Sequence, residues 1–304
     1  MKQKILVIGS SNTDMVVQSQ QLPVPGETVL GHQFLMNAGG KGANQAVAAA
    51  KLDGRVAFIC KVGNDIFGTN AIADFEKQGI DTSSIIQDPA HPSGVALIMV
   101  NEQGENCISV ALGANEQLTK ADILAHHHQV EQCDLLLVQL EIPIPTVLFI
   151  VELASELGKQ VILNPAPANK LTDSVFKHLS ILTPNETEAK LLTGITVEDE
   201  NSAKRAALKL RNLGTKTVII TLGAKGVYLS DKAFEGIIPA PKVKAIDSTA
   251  AGDTFNGALA VALAAGKDMV AAVKFANRAA AFSVTKLGAQ SSCPTLKDLE
   301  LMPK

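Results

Sequence analysis

"DLLLVQLE", residues 134–141, sets Leu135 to Val138 side by side without a polar break and then ends on Gln139 and Glu141. A strand with one wet face alternates apolar and polar residues, whereas an unbroken apolar run is what a strand buried on both faces requires. The same texture recurs in "KILVIG" from residue 4, "RVAFICKVG" from 55, "QVILNPAP" from 160, "ILTPNE" from 181 and "KTVIITLG" from 216. Segments of helical pattern separate many of these runs, so the chain is expected to form an α/β fold with a mostly parallel central sheet covered by helices.

Several runs end in groups able to handle a ligand: Gly9 with Asn12 and Asp14, Gln139 with Glu141, Asn164, Asn185 with Glu186, and Thr221 with Gly223. Ligands of open α/β sheets bind beyond the carboxyl ends of the strands, so one fold would gather these distant residues on a common rim.

At 304 residues the length alone is compatible with two domains. A single α/β domain over 1–304 with an elaboration fits better, because α/β folds of this size often form one unit. The elaboration is expected in two segments, 12–36 and 93–113. In the second, "SGVALIMV" and "NCISVALG" flank the turn "NEQGEN" like a hairpin, with Val95, Leu97 and Met99 alternating against Ala96, Ile98 and Val100. Both faces of that hairpin are apolar, which predicts a small antiparallel β lid over the site that also meets a second copy in a homodimer.

A net charge of −3, one Tyr and no Trp argue against a surface that grips or stacks nucleic acid. Cys60, Cys107, Cys133 and Cys293 are scattered without a C-x-x-C pair, the usage of a reducing cytoplasm. No apolar window reaches the roughly 18 residues of a membrane span, and "MKQKILVIGSSNTD" has too short an apolar stretch for a signal peptide. The "HHH" at 126–128 follows a helical pattern and lacks carboxylate or thiolate partners nearby, so no functional metal is expected there.

Three stretches carry chemistry. "DSTAAGDTFNGA", residues 247–258, places Asp253 among small residues at the mouth of a helix that shows Phe255, Leu259, Ala262 and Leu263 on one face. Unpaired amides and partial positive charge at such a terminus suit a phosphate. A carboxylate there has a task if it takes the proton of an attacking hydroxyl, but Asp is also a preferred N-cap, and both readings stand on this segment alone. "NAGGKGANQAVAAA", residues 37–50, surrounds Lys41 with glycines and opens a helix at Asn44. It reads as a polyol site or as an ordinary glycine-rich turn with a solvated lysine. "TLGAKG", residues 221–226, reads as a nucleotide cradle or a tight strand-to-strand turn. No Walker A loop and no G-x-G-x-x-G fingerprint occur.

In order and content, "NAGGKGANQA" and "DSTAAGDTFNGA" resemble the two signatures of the PfkB family of carbohydrate kinases, in detail its ribokinase group. "LPVPGET" at 22–28, "TPNETEA" at 183–189 and "KLGAQSSCP" at 286–294 extend the resemblance over essentially the whole chain. It implies a three-layer ribokinase-like fold and ATP-dependent phosphorylation of a sugar hydroxyl, in that group the 5-hydroxyl of ribose. Asn12, Asp14, Gly40, Lys41, Asn44 and Glu141 match sugar contacts, Asp253 the base, and the amides of Ala251, Gly252 and Asp253 the anion hole. Asn185, Thr221, Gly223, Gly226 and Asn277 match nucleotide contacts, Gly252 lying beside them, and Glu188 matches the residue that organises Mg²⁺ through water. Asp247, Thr249, Ser283, Lys286, Gly288 and Ser292 match the loops that hold an activating K⁺, largely by carbonyls. Ser248 stands where Thr is typical and Lys286 where Arg is usual; neither touches the chemistry. The alternatives are a family kinase acting on fructose, another pentose or a nucleoside, and a sugar-binding protein without turnover.

Overall fold

A computed structural model describes residues 3–302; Met1, Lys2, Pro303 and Lys304 of the expected 1–304 domain lie outside the described residues. Its strands in chain order are β1 (Lys4–Ile8), β2 (Asn12–Ser19), β3 (Gly31–Gly39), β4 (Arg55–Ile59), β5 (Lys61–Gly63), β6 (Ile86–Asp88) and β7 (Gly94–Val100). There follow β8 (Asn106–Ala111), β9 (Leu135–Val138), β10 (Gln160–Leu163), β11 (Ile181–Leu182), β12 (Thr217–Thr221), β13 (Val227–Ser230) and β14 (Glu235–Ile238). The α-helices are α1 (Lys41–Lys51), α2 (Ile66–Lys77), α3 (Lys120–Ala125), α4 (His127–Gln132), α5 (Ile144–Glu156), α6 (Glu186–Thr193), α7 (Glu200–Asn212), α8 (Ala251–Ala264), α9 (Met269–Ser283) and α10 (Leu296–Leu301).

The main sheet has the order β14-β13-β12-β11-β10-β9-β1-β4. Pairings from β12 through β4 are parallel, and β13 and β14 close one edge as an antiparallel meander. Successive residues of one strand enter opposite cores: Leu136 and Val138 of β9 join the layer of α5, α6 and α7, while Leu135 and Leu137 join that of α1, α8 and α9. Both layers being apolar, the strands have no wet face, which is the reason their sequences do not alternate. The chain leaves β1 toward β4 on one side and later returns to β9 on the other, so β1 and β9 form the topological switch point where such sheets open a crevice.

The run 55–63 is not one strand. It breaks at Cys60, and β5 leaves the main sheet to pair with β6.

A separate four-stranded sheet has the order β3-β2-β7-β8. Its outer pairings are antiparallel and its central β2·β7 pairing is parallel, because these strands arrive from different parts of the chain rather than through one meander. Register places Asp14, Val16, Leu35, Ile98, Ile108 and Val110 on one face and Met15, Val17, Phe34, Met36, Leu97 and Met99 on the other. Phe34, Met36, Leu97 and Ile108 are each more than half exposed, so neither face is fully covered within the chain. Among the described residues, no helix is long and apolar enough to cross a membrane.

Candidate active site

Helices α1 and α8 end their N-termini on the same rim of the sheet. They approach closely because Gly257 of α8 lies on α1: a Cβ there would meet the Gln45 carbonyl at 2.7 Å and the Ala48 methyl at 2.8 Å. Only a residue without a side chain permits that spacing. Across it, Asn44 Nδ2 donates to Asp253 Oδ2 at 3.0 Å and Gln45 Nε2 to Asp253 Oδ1 at 2.9 Å.

Asp253 is therefore not the N-cap of α8. That position belongs to Ala250, whose φ of 56° lies in the left-handed region, a strain of about 1–2 kcal/mol for a residue with a Cβ. Asp253 is 6% exposed, and burial pushes its carboxyl above the usual range while Lys41, Asn44 and Gln45 pull it back. Of the three amides expected to form an anion hole, Ala251 N donates to Ser248 O at 3.2 Å, whereas those of Gly252 and Asp253 have no partner among the described residues. An ideal Cβ built on Gly252 meets nothing within 4 Å, so the space before these amides is open.

The rim gathers most of the other expected residues. Glu141 Oε2 accepts from Lys41 N at 2.9 Å and from Ser10 Oγ at 2.5 Å, tying the ends of β1 and β9 to the start of α1. Asp14 lies over Gly39, and burial, then Glu141, raise its carboxyl to about 6 against the pull of Lys41. Burial lowers the Lys41 ammonium pKa, yet Asp253, Glu141, Glu188 and Asp14 together outweigh it and raise it overall. Asn44 Oδ1 is buried without a partner, an acceptor that awaits a donor. Gly40 begins α1 with φ 89°, and a Cβ there would meet Asn12 N at 2.7 Å, so its glycine is a backbone requirement. Asn12 is placed differently from the others: its Oδ1 accepts from Asn115 Nδ2 at 2.8 Å, and it lines a separate cavity of about 140 Å³ with Asn37 and Asn70.

A cavity of about 200 Å³ beside Asp253 is lined by Lys41, Asn164, Asn185, Glu188, Gly252 and Asn256. It shares Thr221, Ser248, Ala251 and Gly252 with a second, less polar one of about 390 Å³ lined by Gly223, Gly226, Val243 and Asn277. Thus Asn185 stands beside Asp253 rather than in the larger apolar cavity, and Gly252 lies where the two meet. Asn277 Nδ2 donates to Ile238 O at 3.1 Å and so braces the wall of the second cavity. The turn 221–226 is the tight strand-to-strand link expected of it, joining antiparallel β12 and β13, and it also lines the second cavity. A larger cavity, about 930 Å³ between residues 238–243, α9 and α10, contains none of the strand-end polar groups.

Glu188 and Asn185 form a capping box at α6, Asn185 N donating to Glu188 Oε2 at 2.9 Å and Glu188 N to Asn185 Oδ1 at 2.8 Å. Burial raises the Glu188 carboxyl to about 7. A fixed carboxylate on the wall of a polar cavity suits Mg²⁺, which keeps its waters and takes one or two carboxylates plus phosphate oxygens. Asp247 joins two loops by accepting from Thr249 N and from Gly288 N, both at 2.9 Å. The carbonyls of Thr249, Lys286 and Gly288 accept no hydrogen bond among the described residues, a donor set that fits a monovalent cation. Ser283 O accepts from Lys286 N at 3.1 Å, Ser292 Oγ donates to Ala289 O at 2.8 Å, and the Lys286 ammonium sits 4.3 Å over the Phe282 ring.

Residues 2–296 match the pfkB family carbohydrate kinase pattern. The chain belongs to the PfkB family. Among curated PfkB relatives, the ribokinase of Haemophilus influenzae is 46% identical over 298 residues, covering 98% of this chain and 97% of that protein. The deoxyribokinase of Salmonella typhi is 40% identical over 294 residues, 96% of each. The solved Arabidopsis thaliana ribokinase complexed with ribose and ATP superposes with a TM-score of 0.90 at 32% identity, covering 99% of this chain and 98% of that one. The PfkB signatures pointed to Asp253 and Lys41 but passed over Gln45, Ser10 and Asn115. "NQA" in "KGANQA" carries no local signal for Gln45 beyond a polar side chain in an Ala-rich helix.

Proposed function

We infer that this PfkB kinase transfers the γ-phosphoryl group of ATP to the 5-hydroxyl of ribose, with Asp253 as general base. One observation carries it: a buried carboxylate, held by two amides, belongs to the second of two residues whose open helix N-terminal N–H groups lie at the junction of two cavities. The apolar cavity takes the nucleotide, and its phosphates run over Gly252 toward Asp253. The sugar lies under the lid, with Asp14, Glu141 and Asn44 Oδ1 accepting from its hydroxyls and Lys41 donating. A buried acceptor left unpaired is costly, so the site selects a polyol. The identity to the Haemophilus ribokinase favours ribose over the 2-deoxy sugar. A binding protein without turnover has no use for a base beside a phosphate cradle.

In the transfer, the sugar oxygen bonds to phosphorus as the bond to the β-phosphate oxygen breaks, ADP departs, and the hydroxyl proton passes to Asp253. Charge on the migrating group is met by the amides of Gly252 and Asp253, donors of a kind worth about 3–4 kcal/mol each in other enzymes. Glu188 would hold a Mg²⁺ ion, which would supply charge neutralisation on the phosphates. The carbonyls of loops 247–249 and 283–292 would hold a K⁺ ion, which would supply positive charge near the anion hole. Unpaired cysteines support a reducing compartment, and we place the enzyme in the cytoplasm.

Coupled ATP-consumption assays over ribose, 2-deoxyribose, fructose and adenosine test the reading. Ribose should give the highest kcat/KM; preference for another member of the panel overturns the assignment. Replacing K⁺ by Na⁺ should slow turnover severalfold, and an indifferent rate removes the cation site. Because sugar hydroxyls donate to ionised Asp14, ribose affinity should strengthen as pH rises through about 6 and then level off. Calorimetric titration giving a flat profile between pH 5 and about 7 would show that Asp14 does not bind sugar in its charged form.

The apolar outer rows of the lid, Val16, Leu35, Ile98 and Ile108, fit a second copy of the chain, the lid thereby serving as the interface of a homodimer. Ile98→Asp should halve the mass seen by light scattering. A monomeric parent, or a dimer indifferent to the change, rules the lid interface out.

A further inference from the structure

We propose that Gln45 is a positioning residue for the base: clamped at its far end, its carboxamide fixes the rotation of the Asp253 carboxylate and keeps it ionised within a buried site. The inference rests on the reading of Asp253 as base.

Gln45 is 0% exposed and lines neither cavity, so it does not reach a substrate. Its Nε2 donates to Asp253 Oδ1 at 2.9 Å and to Asn164 Oδ1 at 3.0 Å, and its Oε1 accepts from Gln139 Nε2 at 2.6 Å. The direction of this network is set by a group that cannot rotate. Asn164 Nδ2 donates to the main-chain carbonyl of Thr183 at 3.1 Å, which turns Asn164 Oδ1 toward Gln45. Gln45 must then present its N–H groups to Asn164 and Asp253 and its oxygen to Gln139; reversed, it would oppose acceptor to acceptor at two contacts. One backbone carbonyl at the end of β11 thus fixes, through two side chains, which face of the base is already occupied.

Asn44 holds the other carboxylate oxygen, but Asn44 also offers Oδ1 to the ligand and can respond to it. Gln45 has no such freedom. The charged groups around Asp253 are Lys41 from α1, Glu141 beyond β9, Glu188 from α6 and Asp14 from β2, with the Cys293 thiol beneath Thr254. Lys41 alone among them is positive. An ionised base beside three other carboxylates therefore depends on Lys41 and on the two amide donors, and loss of one donor favours its protonation.

The test uses full-length Gln45→Glu and Gln45→Met, with melting curves to establish folding and ribose phosphorylation measured from pH 5 to about 9. Expected are a fall in kcat of about 30-fold or more, KM for ribose within about threefold, and an acid limb moved up by about one pH unit or more, furthest in Gln45→Glu. Gln139→Met, which removes only the clamp, should shift the limb the same way by less. Variants that keep kcat within about threefold, or lose it with the limb unmoved, overturn the proposal by reducing Gln45 to packing. Should Gln45→Met fail to fold, the near-isosteric Gln45→Glu and Gln139→Met decide by the same limb. Asp253→Asn separates the two claims: its activity fails the base reading, whereas its inactivity beside unaffected Gln45 variants fails this inference alone.

Discussion

Asp253→Asn should fold normally and lose about a thousandfold in kcat, the combined weight of a general base and of orienting the attacking hydroxyl. Folding survives for a reason visible in the site. The new amide keeps an oxygen for Gln45 Nε2, and its NH₂ meets Asn44, which can turn its unpartnered Oδ1 toward it. A buried carboxylate raised by desolvation is also replaced by a neutral group, so the melting temperature should hold or rise. Ribose affinity should fall only severalfold, because Asp14, Glu141 and Lys41 remain while Asn44 presents an N–H in place of Oδ1. Steady-state kinetics with calorimetric binding checks this. Near-normal turnover in a folded variant withdraws the base assignment.

Gly252→Ala should have opposite effects on stability and activity. A methyl there meets no protein atom within 4 Å, and Ala exceeds Gly in a helix interior by about 1 kcal/mol, less in a first turn. The variant should melt no lower than its parent. Yet the methyl enters the gap before the Gly252 and Asp253 amides, where the two cavities meet and the phosphate is proposed to pass. A loss of roughly 10²–10³ in kcat/KM for ATP is expected, comparable to removing one oxyanion donor. Retention of activity in a stably folded Gly252→Ala variant would mean that the phosphoryl group does not travel over this residue.

Much of this was legible along the chain wherever the controlling physics is local. Strand β9, Leu135–Val138, announces burial on both faces because each layer demands apolar contacts from every second residue. The hairpin of β7 and β8 follows from its turn, 101–106. What depends on distant approach was not legible. The parallel seam between β2 and β7, the break at Cys60 and the hold of Asn44 and Gln45 on Asp253 are all settled by contacts between segments far apart in sequence. Gln45 is the clearest instance: its partners lie 94, 119 and 208 residues away and meet it only because Gly257 lets two helices close. Asn12, matched to a sugar contact by its motif, is held by Asn115, a partner that nothing near residue 12 advertises.

Asp253 and the open amides share half a turn of α8, whereas the groups proposed to face the sugar come from β2, the end of β9 and the start of α1. The proposed proton acceptor and phosphate cradle are in consequence one rigid part, unable to drift out of register with each other. Recognition draws mostly on other segments, β2 and the loop after β9, with Asn44 of α1 touching both parts. A lineage built on this frame can exchange one acceptor alcohol for another by editing β2 and the loop after β9, leaving the carboxylate and amides of α8 in place.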